Sequence, residues 1–120
     1  MKRLWWASFL TLLVLLVTVR PVGALDASPS AILSSPDRFD GKSVTMYGSI
    51  TNLHETVSHR GNPYYTFDLS DGKRTIRVFS FGKAPCRAGT VTVEGTFDQV
   101  KQVGTRTFRN EVTAAQVICR

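Results

Sequence analysis

Residues Asn62–Phe81 read NPYYTFDLSDGKRTIRVFSF, and this stretch decides the fold. Two runs rich in aromatic and β-branched residues flank Ser70-Asp71-Gly72-Lys73, and Asp-Gly between such runs is a strong hairpin signal. Successive strand residues point to opposite faces. In the first run Tyr65, Phe67 and Leu69 therefore share one face, and Tyr64, Thr66 and Asp68 the other. In the second run Ile76 and Val78 oppose Thr75, Arg77 and Phe79. One face of the hairpin is apolar and suits a core. The other combines Tyr64, Thr66, Arg77 and Phe79, with Arg60, Lys73 and Arg74 at its ends, and a face that mixes aromatics with arginine calls for a reason.

Outside the hairpin the same alternation recurs. Ser43–Leu53 places Val44, Met46, Gly48 and Ile50 on one face and Thr45, Tyr47 and Ser49 on the other. Thr90–Val100 sets Val91, Val93, Gly95 and Phe97 against Thr92, Glu94 and Thr96. Thr107–Cys119 is a fifth strand whose alternation slips at Ala114-Ala115, which predicts a bulge or a change of face there. Between these runs, His54–Gly61 reads as a polar loop, Gly82–Gly89 as a short connector, and Lys101–Arg106 as a turn. Before them, Asp26–Ser30 reads as a polar linker. Ser28-Pro29 is an N-cap followed by proline at the first helical position, which predicts a short helix ending at Ser35-Pro36. Asp37–Lys42 is a turn, and Phe39 with Ile32 and Leu33 is placed to plug one end of the core.

The chain has 120 residues, 42% of them hydrophobic, which bounds it to one domain. Its first segment stands apart. Lys2 and Arg3 precede a nearly continuous apolar run from Leu4 to Val19, then Arg20-Pro21 and the small residues Val22-Gly23-Ala24. This is the three-part pattern of a signal peptide over residues 1–24, with the domain at 25–120 and a periplasmic or secreted destination. A retained anchor is the alternative, since Trp5 and Trp6 also suit a membrane interface. After processing no membrane span is expected. Removing residues 1–24 takes away three basic residues (Lys2, Arg3, Arg20) and no acidic one, so the formal net charge falls from +6 to +3. A balance this mild steers only weakly toward polyanions. Export also bears on Cys86 and Cys119: in an oxidising compartment a single disulfide is the natural reading, with two free thiols or a metal pair as the alternatives.

The order of these signatures resembles a known fold. Phe39-Asp40-Gly41-Lys42-x-Val44 leading to Gly48, then Phe67-x-Leu69-x-Asp71-Gly72, then Val91-x-Val93-x-Gly95, then Asn110-Glu111-Val112 with Ala115 and Val117, is similar to the small bacterial OB-fold domains of the tRNA-anticodon-binding type. The resemblance covers residues 30–118 and implies an all-β, five-stranded OB-fold Greek-key barrel with a short N-terminal helix. Gly48 and Gly95 fall where strands must bend for closure. The chain departs from the pattern in one respect, because Gly82–Gly89 is too short and broken for the helix that many OB-folds carry between the third and fourth strands. In an OB barrel the third and fifth strands run parallel where the barrel closes, so the resemblance implies that Cys86 and Cys119 are neighbours.

OB-folds of this type bind single-stranded nucleic acid or other oligomers across the second and third strands, by stacking bases on aromatic rings and meeting phosphates with cations. Carried over, Tyr47, Tyr64 and Phe79 are expected to stack, with Thr66 and Arg77 among them and Arg60, Lys73 and Arg74 along the backbone. Structurally, Tyr64 and Phe79 also serve as a cross-strand pair that stabilises the hairpin. The partner is then single-stranded nucleic acid, another anionic oligomer or, alternatively, a cell-envelope protein recognised or assembled without nucleic-acid affinity. His54-Glu55-Thr56-Val57-Ser58-His59 fails the HExxH test because its histidines are five apart rather than four. His54 and His59 remain weak metal candidates. No nucleophile motif or phosphate-cradling glycine loop is present, so the expectation is a non-enzymatic protein without a cofactor. Asp71 has a conformational role in its turn, and Glu94 and Glu111 read as isolated strand residues.

Overall fold

The computed structural model describes residues 23–120. The signal-peptide reading and its anchor alternative rest on residues 1–22, which lie outside the described residues. In chain order the elements are β1 (Leu25–Asp26), α1 (Pro29–Ser34), α2 (Pro36–Phe39), β2 (Ser43–Val57), β3 (Pro63–Ser70), β4 (Thr75–Phe81), β5 (Thr90–Val103) and β6 (Arg106–Cys119). The sheet order is β1-β2-β3-β4-β6-β5, and β2 also pairs with β5, so the sheet closes on itself. The β4–β6 contact is parallel, whereas the other pairs of long strands are antiparallel. This is the five-stranded OB-fold barrel, with β1 as a two-residue parallel addition to β2.

Closure depends on β2 serving two neighbours. Ser43–Ser49 pairs with β5, and Ser49–Val57 pairs with β3. A strand that changes partner midway must bend, and Gly48 lies at the bend. A Cβ at Gly48 would collide with the Ser70 carbonyl oxygen and sit 3.1 Å from Leu69 Cγ. Gly95 plays the same part on β5. At Ala115 β6 inserts one extra residue, since Glu94 pairs with Gln116 and Gly95 with Ala114. The predicted slip at Ala114-Ala115 is therefore a β-bulge, which turns Val117 back toward the core that Val112 and Ala114 already face.

The predicted inward faces form that core. Tyr65, Phe67, Leu69, Ile76 and Val78 from the hairpin pack with Val44, Met46, Ile50, Val91, Val93, Phe97 and Val112. Each such side chain, moved fully out of water, contributes roughly 1.5–3 kcal/mol. The helix α1 forms because Ser28 Oγ accepts a hydrogen bond from the Ala31 N–H (3.0 Å) and Pro29 occupies the first helical position. Its Ile32 is fully buried, with Leu33 and Phe39 packed against the same cluster, so the N-terminal helix plugs the barrel. The Gly82–Gly89 connector holds no helix, as its composition predicts.

Several boundaries differ from the sequence reading. Asp26 belongs with Leu25 to a two-residue strand rather than to the linker expected over Asp26–Ser30, and Asp37–Phe39, expected within a turn over Asp37–Lys42, belong to a second helical turn started by Pro36 at its first position. The segment His54–Val57 continues β2, and Lys101–Val103 continues β5. In both ribbons polar residues are carried by backbone hydrogen bonds to a partner strand, which composition does not report. Cys86 and Cys119 form a disulfide with a Cα separation of 6.1 Å, and no free cysteine remains. It ties the connector after β4 to the end of β6, beside the parallel seam.

Candidate ligand-binding face

The expected second and third strands are β3 and β4, and their register sets the outer face. Tyr64 lies opposite Phe81, and Thr66 opposite Phe79. Tyr64 and Phe79 are thus diagonal neighbours, with ring centroids 5.2 Å apart and planes tilted by 32°. Phe79 meets Phe81 edge to face at 5.0 Å. A cross-strand pair accounts for Tyr64 and Phe79 alone. It does not account for Phe81, which extends the cluster and is 71% exposed. An aromatic ring left open beside two others is a surface on which another ring can stack.

Next to the rings sits a charged cluster built across the seam. Arg77 on β4 pairs in register with Glu111 on β6. The Arg77 Nε–H donates to Glu111 Oε2 (3.0 Å), and Lys101 Nζ from β5 donates to Glu111 Oε1 (3.4 Å) and to Thr113 Oγ1 (3.0 Å). Glu111 is only 2% exposed, so its charge requires these partners. Both cations also lie over aromatic faces. Lys101 Nζ is 4.8 Å from the Phe79 ring centroid, and the Arg77 guanidinium is 5.4 Å from that of Phe108. Glu111, read from sequence as isolated, is the hub of this cluster. Phe108 and Glu111 are three residues apart yet both reach Arg77, which strict alternation forbids. Between them Asn110 adopts φ 52°, a left-handed conformation that asparagine tolerates, and the strand rotates there.

The remaining predicted residues are dispersed. Tyr47 is exposed but lies on the half of β2 that pairs with β5, opposite Thr92, and the Arg120 guanidinium stacks on its ring at 4.9 Å. Thr66 is 8% exposed and offers little surface to a ligand. Arg60 is exposed in the turn before β3, at the Tyr64 end of the hairpin. Lys73 and Arg74 are at the other end, beyond Ser70 and Thr75. Six residues of strand separate Tyr64 from Ser70, roughly 20 Å at the usual rise. The structure thus brings together Tyr64, Arg77 and Phe79, adds Phe81, Lys101, Phe108 and Glu111, and leaves Tyr47, Lys73 and Arg74 elsewhere. Phe81 was legible as the next outward position after Phe79; the others depend on β6 closing against β4.

At the Lys73 end the turn has a structural task. Asp71 Oδ1 accepts hydrogen bonds from the Lys73 and Arg74 N–H groups, and Oδ2 accepts one from the Ser30 N–H in the first turn of α1, each at 2.9 Å. The Arg74 N–H foremost, with Ser30 and Lys73, holds the Asp71 carboxyl well below the usual carboxylate range. A depressed carboxyl pKa stabilises the fold above the unfolded value of about 3.9, and that contribution is lost as pH falls below it toward the folded value. The melting temperature of the wild type is therefore expected to fall more steeply below about pH 4 than that of Asp71→Asn, and parallel pH profiles would show that this link is inert.

The weak metal candidates do not assemble further. His54 is on β2, opposite Thr66, and Glu55 forms an ion pair with Arg87 (3.1 Å). Among the described residues no three His, Cys, Asp or Glu side chains come together as a metal site.

No family model and no curated protein matches this sequence. A solved structure of an aspartyl-tRNA synthetase from Leishmania major Friedlin is similar, with a TM-score of 0.58 and 15% identity. The likeness covers 86% of this chain and 22% of that one. It shows a shared fold. The chain thus spans under a quarter of the length of the enzyme it resembles.

Proposed function

We propose that this chain is an exported, non-enzymatic OB-fold domain that holds single-stranded nucleic acid or a similar oligomer on the outer face of β3 and β4. The observation that carries this reading is the open aromatic run Tyr64–Phe79–Phe81 with Lys101 over Phe79. Rings of an oligomer stack on such a run whatever their sequence, because every base presents a π-face. The resemblance to anticodon-binding domains and the fold shared with a tRNA synthetase support the same ligand class. Export is supported by the N-terminal pattern and by the disulfide, which fits an oxidising compartment. Among the described residues no helix is long and apolar enough to cross a membrane.

The test is fluorescence anisotropy with labelled single-stranded DNA and RNA at low salt. Phe79→Ala and Phe81→Ala are each expected to weaken binding by roughly 1–3 kcal/mol, the contribution of one stacked base. No binding of either polymer at low salt would overturn the reading. A second reading, an envelope protein as partner, is favoured by a separate surface: Tyr47 and Ile118, aligned through Thr92 across β2, β5 and β6, are 48% and 41% exposed. It predicts co-purification with a protein that Tyr47→Ala abolishes.

A further inference from the structure

The proposed face contains two cations, yet neither is available in the way that a phosphate-binding cation is. Arg77 and Lys101 both donate to the buried Glu111 carboxylate, at 3.0 and 3.4 Å. The cross-strand partner of Glu111 on β5 is a second carboxylate, Asp98. Like charges directly opposite repel, so the two cations are needed there to offset two anions. Asp68 on β3, directly opposite Arg77, adds a third carboxylate to the same face, so the platform carries no net positive charge. Arg60, Arg106 and Arg109 differ: all are exposed, and none takes part in an ion pair among the described residues. Arg106 and Arg109 belong to the ribbon in which Val100–Val103 pairs with Arg106–Arg109, and Arg60 to the turn before β3. Charge able to meet a polyanion is therefore at the margins, and open ring surface is at the centre.

We infer that Glu111 is a specificity-determining residue: by holding Arg77 and Lys101 it keeps the aromatic platform without a free cation, so that the rings of an oligomer dock there and its phosphates are met by exposed cations at the margins, Arg60, Arg106 and Arg109 among them. This rests on the proposed reading of the face. A phosphate placed on the platform would have to share cations already bonded to a carboxylate that has little water to replace them. A base or sugar ring meets no such cost. The ligand class that follows is an oligomer with stackable rings whose backbone charge is secondary.

Two probes of equal sequence test this: a labelled oligothymidylate, and the corresponding peptide nucleic acid, whose backbone is uncharged. Wild-type protein is expected to bind both with comparable affinity at 0.15 M salt, where exposed charges are largely screened beyond about 8 Å. Glu111→Gln retains a hydrogen-bond acceptor but frees both cations. It is expected to tighten binding of the DNA and steepen its log–log salt dependence by roughly 0.7–1.4, at about 0.7 per phosphate engaged, and to leave the uncharged oligomer unaffected. Combined Arg106→Ala and Arg109→Ala changes are expected to flatten the same slope. If the wild type binds DNA but not the uncharged oligomer, or if folded Glu111→Gln binds DNA with an unchanged slope, the inference fails while the proposed face stands. If neither probe binds at low salt, the face itself is misassigned and the inference falls with it. Should Glu111→Gln fail to fold, the wild-type comparison of the two probes still decides.

Discussion

Gly95→Val is expected to abolish the cooperative thermal transition of this domain. A Cβ at Gly95 would collide with the Thr113 carbonyl oxygen and lie 2.8 Å from Ala114 Cα, both backbone atoms of β6. A side-chain clash is relieved by a rotamer change, whereas this one requires the strand to move. Overpacking that cores can absorb costs about 1–3 kcal/mol. Displacing β6 goes further, because it breaks the register that sets the Ala115 bulge and carries Glu111 to Arg77. Small domains have only about 5–15 kcal/mol in total. Thermal melts followed by near-ultraviolet circular dichroism give the readout. A Gly95→Val protein melting within about 5 °C of the wild type would contradict the close approach of β5 and β6.

Removing the disulfide is the second large effect. Cys86 and Cys119 are 33 residues apart, and in the chain-entropy model closing a loop of that length stabilises the fold by roughly 3.7 kcal/mol. For a domain of this size the double change Cys86→Ser, Cys119→Ser is expected to lower the melting temperature by about 15–30 °C. The loss should be concentrated at the parallel seam, where β4 and β6 pair in register only at Arg77–Glu111, Val78–Val112 and Phe79–Thr113. Amide exchange in β4 and β6 is expected to accelerate more than in the long β2–β5 pairing. Titration of the denatured, unreduced wild type is expected to find no free thiol; two thiols would show that the bond does not form.

The hairpin from Asn62 to Phe81 was legible because alternation is a local property. Tyr65, Phe67, Leu69, Ile76 and Val78 announce their face without reference to any other strand, and all five are buried. The same holds for the Ser28 cap, for the slip at Ala114-Ala115, and for Gly48 and Gly95, whose place in mid-strand signals a bend. Strand ends were less legible. His54–Val57 and Lys101–Val103 are polar or mixed segments kept extended by a partner strand.

The binding face divides along the same line. Sequence by itself determined that Tyr64, Arg77 and Phe79 share the outer side of one hairpin, since period-two geometry requires it. It could not determine that Arg77 meets Glu111, 34 positions away, or that Lys101 reaches both Glu111 and Phe79. Those contacts exist only once β6 closes against β4 and Asn110 rotates the strand between Phe108 and Glu111. Nor could composition separate Tyr47, Lys73 and Arg74 from the rings, because all share the residue types of a binding surface. Their separation follows from the bend at Gly48 and from the length of the hairpin. Tertiary structure thus decided which cations belong to the face and that a buried carboxylate already holds them.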